Sequence, residues 1–159
     1  MLVNELDIVA ELLGDTPYVI AGGYARDTFF GVTPKDVDVF IHDKFRNQVL
    51  VDVIRSGAAY KDHNKWYAND TKNSDHITSV INVGKIDYIF VPATIDILDI
   101  TDHFDFNLNQ FMLDEDEEPF YNGDGGTPEV LVQLHPDVPD HRIIKIYKKH
   151  QELIANGKI

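Results

Sequence analysis

The chain has 159 residues, of which 43% are hydrophobic, and this size and composition predict one folded domain with one core. There are no cysteines, which excludes disulfide bonds and thiolate metal sites, and the sequence has neither a membrane-length apolar run nor a secretory signal, so we expect a cytoplasmic protein. The formal net charge of −13, from 27 acidic and 14 basic residues, argues against a large basic face for nucleic acid.

The first predicted elements are a helix and a strand–turn–helix–strand unit. Apolar residues recur at helical spacing within residues 3–13, and Gly14 follows them, so this segment predicts a packing helix. The unit after it spans residues 18–41. An apolar run at 18–21 predicts a strand, the pair Gly22-Gly23 a turn, residues 24–30 a short helix, and the apolar run at 37–41 a second strand.

The turn and the second strand carry residues that suit a metal-bound nucleotide. Gly22 and Gly23 permit positive φ and a close approach of the backbone to a ligand, and a helix that begins there directs N–H groups at a phosphate. Asp36 and Asp38 stand two residues apart at the start of a strand, so we expect both to face the same side. Two carboxylates beside a phosphate site predict Mg²⁺ that carries a nucleoside triphosphate.

The whole motif closely resembles the head domain of the nucleotidyltransferase superfamily. Between residues 22 and 38 it reads Gly-Gly, two residues, Arg-Asp, a loop and Lys-Asp-Val-Asp. Among members of the superfamily, it is most similar to CCA-adding enzymes and bacterial poly(A) polymerases. The resemblance implies the α/β (α+β) class, with a mixed β-sheet flanked by helices. It also implies a single domain over residues 1–159 that lacks the relatives' neck, body and RNA-binding domains.

The resemblance also assigns nucleotide-binding roles within this motif. The residues concerned are Gly22, Gly23, Arg26, Asp27 and Lys35. In relatives the Arg-Asp pair helps to hold the nucleotide site together, and the guanidinium fork of Arg26 suits phosphate oxygens. An ordinary surface ion pair is the alternative for Arg26, and Asp27 is expected to orient its neighbours.

A third acid is expected on a later strand. The apolar runs 76–83 and 86–91 flank Gly84-Lys85, which predicts a β-hairpin. Asp87 stands among apolar residues of the second run, where a carboxylate is costly unless it is paired or bound to metal. The resemblance implies that Asp87 faces Asp36 and Asp38 and acts as general base or as a metal ligand. The alternative is an edge-strand aspartate that points at water.

Residues 103–111 resemble a second motif of the relatives, Arg-Arg-Asp-Phe-Thr-Ile-Asn. The match places Asp105 on the aspartate and Asn109 on the asparagine, which implies contacts to ribose or triphosphate. His103 and Phe104 stand where the relatives have two arginines. Polar contacts that only stabilise the fold are the alternative for Asp105 and Asn109.

The remaining predicted elements connect these motifs. Helices are predicted at residues 43–56, capped by Asp43, at 94–100, capped by Thr94, after Thr127, with Pro128 at the first helical position, and at 140–156. A strand is predicted at 65–68, and the acidic run 114–118 predicts an exposed loop. The segment 140–156 is the most basic part of the chain and resembles the relatives' helix that leads out of the head domain.

The resemblance implies an enzyme that transfers a nucleoside monophosphate from an NTP, ATP or CTP, to an acceptor hydroxyl. Asp36, Asp38 and Asp87 would bind Mg²⁺, with Mn²⁺ as an alternative metal. The motif match favours an RNA 3′ end of tRNA type as acceptor, whereas the acidic net charge favours a protein or a small molecule. A non-catalytic nucleotide-binding module is a third possibility, because the two arginines and the body domain are missing.

Overall fold

A computed structural model describes residues 4–63, 76–124 and 128–159 of the chain. The first helix, α1 (Glu5–Leu13), begins where the Asn4 side chain accepts a hydrogen bond from the backbone N–H of Leu6. It ends at Gly14, whose φ is +54°. Leu6, Val9 and Leu13 of α1 are buried, so it is a packing helix as predicted.

The centre of the fold is a mixed five-stranded sheet, as predicted. Its strands are β1 (Val19–Ile20), β2 (Val37–His42), β3 (Lys61–Asp62), β4 (Ser79–Val83) and β5 (Ile86–Val91). The spatial order is β1-β2-β5-β4-β3, and β2 and β5 are parallel while the other neighbours are antiparallel. The predicted hairpin at Gly84-Lys85 is the β4–β5 pair.

The two faces of the sheet have different roles. Alternate residues of β2 and β5, such as Val39 and Tyr88, are fully buried in a core that includes Val49 and Val53 of α3 (Arg46–Ser56). The residues between them on the strands point to the opposite face. That opposite face carries Asp38 and Asp87 at one end, followed along the strands by apolar side chains.

A second group of elements packs against the core that includes Val39 and Tyr88. It contains α2 (Gly23–Phe29), the hairpin of β6 (Phe111–Leu113) and β7 (Pro119–Tyr121), and a last helix, α4 (Asp140–Ala155). The backbone N–H of Gly22 donates to the carbonyl of Phe111 at 2.9 Å, and Ala21 forms a bridge with Met112. The entrance to α2 is therefore tied to β6.

Several predicted boundaries differ from the structure. Residues Asp43–Phe45 form a 3-10 helix before α3, so Asp43 does not cap it. The helix predicted at 94–100 is a 3-10 helix at Ile97–His103, and Asp96 rather than Thr94 caps it by accepting from Leu98 N–H. Another 3-10 helix spans Asn107–Asn109. The described residues 128–139 form no helix. The predicted strand at 65–68 and the Thr127 cap lie outside the described residues.

In the parts of the chain that the structure describes, no helix has both the length and the apolar character needed to cross a bilayer.

Candidate functional site

Two carboxylates lie side by side on the exposed face of the sheet. In the parallel β2–β5 pair, Asp38 is the register partner of Asp87, and neighbouring strands are about 4.8 Å apart. Both side chains are half-buried and line a cavity of about 580 Å³. Asn82, the partner of Asp87 on β4, donates from Nδ2 to Asp87 Oδ1 at 2.7 Å and so fixes its orientation. Adjacent carboxylates repel each other, and their oxygens are the donors that a hard divalent cation prefers.

Asp36, the remaining predicted metal ligand, is placed differently. Asp36 lies one residue before β2, is exposed, and is not part of the cavity wall. Because Asp36 precedes β2, strand alternation does not determine which side it faces, and its shared face with Asp38 stays a prediction. Within the described residues, no three His, Asp or Glu side chains are grouped to hold a metal ion. The structure thus brings together Asp38 and Asp87 but not Asp36, and the three-acid metal site stays a prediction.

The Gly22-Gly23 turn borders the same cavity. Gly22 has φ +84° and ψ −139°, a conformation that side chains rarely adopt. A Cβ at residue 22 would lie 3.8 Å from Asp38 Oδ2, so the turn faces this carboxylate. A Cβ on Gly23, the first residue of α2, would lie 3.4 Å from Arg26 Nη2. The turn, one acid and the arginine are therefore neighbours, as the motif predicted.

Arg26 is held by its neighbours within the protein. Its Nε donates to Asp27 Oδ1 at 2.9 Å and its Nη1 donates to Asn109 Oδ1 at 2.6 Å. Lys149 Nζ of α4 lies 3.5 Å from the same Asp27 oxygen. Arg26 and Asp27 are only 9% and 5% exposed, so the pair is a buried ion pair that joins α2, residue 109 and α4. Arg26 and Asn109 line the cavity, whereas Asp27 is not among the lining residues and contacts Arg26 through the ion pair.

Asp105 forms the second charged link to α4. Its Oδ2 accepts a hydrogen bond from Arg142 Nη1 at 2.7 Å, and both residues line the cavity. Phe104, which stands in place of an arginine of the relatives, packs on Phe40 with ring centroids 5.5 Å apart. His103 contacts the His76 ring at 4.9 Å instead, and burial followed by the charge of His76 lowers the pKa of His103. Arg142 therefore brings a cation to Asp105 from a distant part of the sequence.

The basic wall of the cavity was missed by sequence reasoning. Six of the 14 Lys and Arg residues of the chain line it, in a protein whose net charge is −13. They are Arg26, the predicted Lys35, and four residues of α4, Arg142, Lys145, Lys148 and Lys149. Segment 140–156 was identified as the most basic part of the chain, but no pattern in the sequence indicated that its basic residues line this cavity.

Solved structures of CCA-adding enzymes share this fold. The complex with ATP has a TM-score of 0.56 and 17% identity, and the match covers 84% of this chain and 34% of that chain. The complex with CTP has a TM-score of 0.54 and 16% identity, and the match covers 84% of this chain and 35% of that chain. Apo form I has a TM-score of 0.52 and 17% identity, and the match covers 84% of this chain and 34% of that chain. The chain thus spans about a third of the length of these enzymes. The resemblance to the nucleotidyltransferase head domain is confirmed at the level of the fold.

Comparison with curated protein sequences finds no significant match. The model of one protein family, the Gabija anti-defense 2 family, matches residues 3–141, which is most of the chain. The chain therefore belongs to the Gabija anti-defense 2 family.

Proposed function

We propose that the protein is a metal-dependent nucleotidyltransferase. The observation that carries this proposal is the pairing of Asp38 with Asp87 on parallel strands, opposite the Gly22 turn, in a cavity with a basic wall. In the reaction the acceptor hydroxyl oxygen bonds to the α-phosphorus of an NTP, and the bond to the β-phosphate oxygen breaks. The products are acceptor-bound nucleoside monophosphate and pyrophosphate, and the hydroxyl proton leaves to a base.

The paired carboxylates fit Mg²⁺ or Mn²⁺ by the chemistry of their donors, because hard cations prefer carboxylate oxygen. Asp38 and Asp87 would hold such an ion, with Asp36 as a further ligand. When bound, the ion offsets charge at the phosphorus and aligns the in-line attack.

The protein's own groups would orient the reactants. As the alternative to holding the ion, Asp87, which is oriented by Asn82, would take the proton of the acceptor hydroxyl. The backbone of Gly22 and Gly23 permits the close approach of a phosphate, and Lys35 borders that region of the cavity. Arg26 has two of its donors occupied by Asp27 and Asn109, so its main contribution is to position the turn and to supply positive charge.

Two classes of acceptor are supported by different observations. The fold similarity to CCA-adding enzymes supports the 3′ end of an RNA, the acceptor class expected from the motif. The family is named for counteracting Gabija, which supports a hydroxyl group of a Gabija protein instead. The charge distribution favours the protein acceptor, because nearly half of the basic residues line one cavity and few remain for a long RNA.

A labelling experiment tests both the reaction and the acceptor. The protein is incubated with Mg²⁺ and each of the four NTPs labelled at the α-phosphate, together with small RNA, with Gabija proteins, or with a small-molecule extract. Transfer is expected with α-label and not with γ-label, and it is expected to disappear in Asp38→Asn and Asp87→Asn. Lys85→Gln, in the exposed β4–β5 turn, serves as control. Transfer that survives in folded Asp38→Asn and Asp87→Asn would overturn the assignment. Nucleotide binding without transfer to any acceptor would favour the non-catalytic module.

A further inference from the structure

We propose that Lys145 and Lys148 of α4 bind the β- and γ-phosphates of the nucleotide and so stabilise the departing pyrophosphate. The inference rests on the proposed nucleotidyl transfer and adds a pair of residues outside its motifs. Helix α4 and the strands that carry Asp38 and Asp87 line the same cavity.

The rotation of α4 is fixed by its buried residues. Ile146, His150 and Leu153 face the core at helical spacing, and the ring Nε2 of His150 contacts the carbonyl oxygen of Glu129 at 3.0 Å. This seating leaves the basic residues on the side of the cavity. Arg142 and Lys149 are seven residues apart, which places them about 10 Å apart along the helix axis. Lys145 lies between them on the same side, and Lys148 lies beside Lys149.

The cations of the wall divide into two groups by what they contact. Arg142 pairs with Asp105, Lys149 approaches Asp27, and Arg26 contacts Asp27 and Asn109, so these three hold the wall together. Lys145 and Lys148 are exposed to the cavity and form no ion pair with any residue that the structure describes. Their ammonium groups therefore remain available to a ligand.

The position of these lysines selects the outer phosphates. The α-phosphorus must lie by Asp38 and Asp87, where the acceptor oxygen attacks. The rest of the triphosphate then extends into the cavity away from these acids, and α4 supplies four of the six cations that line this cavity. Ammonium groups there would bind oxygens whose negative charge increases as pyrophosphate leaves, and such interactions accelerate the chemical step.

The test compares ligands that have the outer phosphates with one that lacks them. Binding of ATP, AMP and inorganic tripolyphosphate to the full chain with Mg²⁺ is measured by calorimetry for wild type, Lys145→Gln/Lys148→Gln and Lys85→Gln. In the double variant we expect the Kd of ATP and tripolyphosphate to rise at least about tenfold. The Kd of AMP should stay within about twofold, and Lys85→Gln should match wild type. Restoring positive charge with Lys145→Arg/Lys148→Arg should recover tripolyphosphate binding.

The outcomes separate this inference from the proposed function. Unchanged ATP affinity in a folded double variant would overturn the inference and leave the transfer reaction standing. An equal loss of ATP and AMP binding would also overturn it, because it would indicate a merely structural role. If wild type binds tripolyphosphate through these lysines but transfers nothing, the assignment of the lysines to the outer phosphates holds, and both the transferase proposal and the role in pyrophosphate departure fail. If wild type binds none of the three ligands, both fail. Both lysines are exposed, so the variants are expected to fold, and circular dichroism checks this. The single variants provide a second measurement.

Discussion

Removal of the Asp27 charge should destabilise the domain more than any surface charge change. Asp27 is 5% exposed and accepts from Arg26 at 2.9 Å, with Lys149 at 3.5 Å. In Asp27→Asn, Arg26 stays buried with its positive charge and keeps only the neutral Asn109 as a described partner. Loss of one partner of a buried ion pair typically costs 3–5 kcal/mol, and the cavity beside Arg26 admits water, so we expect about 3 kcal/mol. For a domain of this size that is a fall in Tm of about 6–12 °C.

Glu152 provides the matched control, because it approaches the same lysine, Lys149, as Asp27 does. Glu152 approaches Lys149 at 3.8 Å, but its side chain is 65% exposed, so Glu152→Gln should change the free energy of unfolding by no more than about 0.5 kcal/mol. Thermal unfolding and urea titration of both variants measure the difference. A Tm of Asp27→Asn within about 1 °C of Glu152→Gln would refute the view that a buried ion pair holds α2 and α4 together.

Three further predictions concern backbone strain and pH. Gly22→Ala should lower stability by about 1–3 kcal/mol and abolish transfer. Gly14 also has positive φ but lies in open space, so Gly14→Ala should lower stability and keep the transfer activity. Equal transfer activities of the two variants would contradict this prediction. Burial lowers the pKa of His103 in the folded protein, so below the ordinary pKa of histidine the unfolded chain binds more protons than the folded one, and stability falls as pH falls through that range. His103→Gln should therefore reduce the loss in Tm between about pH 7.5 and 5.5. Parallel curves of Tm against pH for wild type and variant would contradict this prediction. Burial raises the pKa of Tyr88 to about 12, so stability should fall above pH 10 as the unfolded tyrosine ionises, and Tyr88→Phe should remove part of that fall in alkaline unfolding curves.

The strand, glycine turn and helix that form one side of the site could be predicted from sequence. Gly22 has a φ of +84°, which other residues adopt only at a cost, and the apolar runs on either side of the turn and helix have strand length. The parallel pairing of β2 with β5 could not be derived from periodicity. It depends on which strands meet after the intervening helix α3, and only the resemblance indicated that Asp87 faces Asp38.

Errors at element ends have a local cause. Thr94 and Asp96 are both capable N-caps two residues apart, and the structure uses Asp96, whose carboxylate reaches the N–H of Leu98. Asp36 and Asp38 were both expected at the start of the strand, but the paired strand β2 begins at Val37, one residue after Asp36. A shift of one residue is common at element boundaries, and here it removes the strand alternation from which the direction of the Asp36 side chain was predicted.

The role of Arg26 shows a different limit of sequence reasoning. A guanidinium one turn into a helix beside a phosphate site is compatible with direct phosphate binding, and that was the expectation. Its burial instead requires partners within the protein, and Asp27 and Asn109 supply them. Asn109 is 83 residues away in sequence, so this partnership depends on tertiary packing that local patterns do not encode.

Ion pairs link α4 to the site. Asp105 is buried and so needs a cation, and Arg142 supplies it from α4. The same helix supplies Lys149 to Asp27 and two further lysines to the cavity wall. Docking of α4 and the positive charge of the site are therefore coupled, because undocking would remove four of the six cations that line the cavity. A polyphosphate that contacts both the strands and α4 must stabilise the docked helix by the same free energy with which docking strengthens its binding.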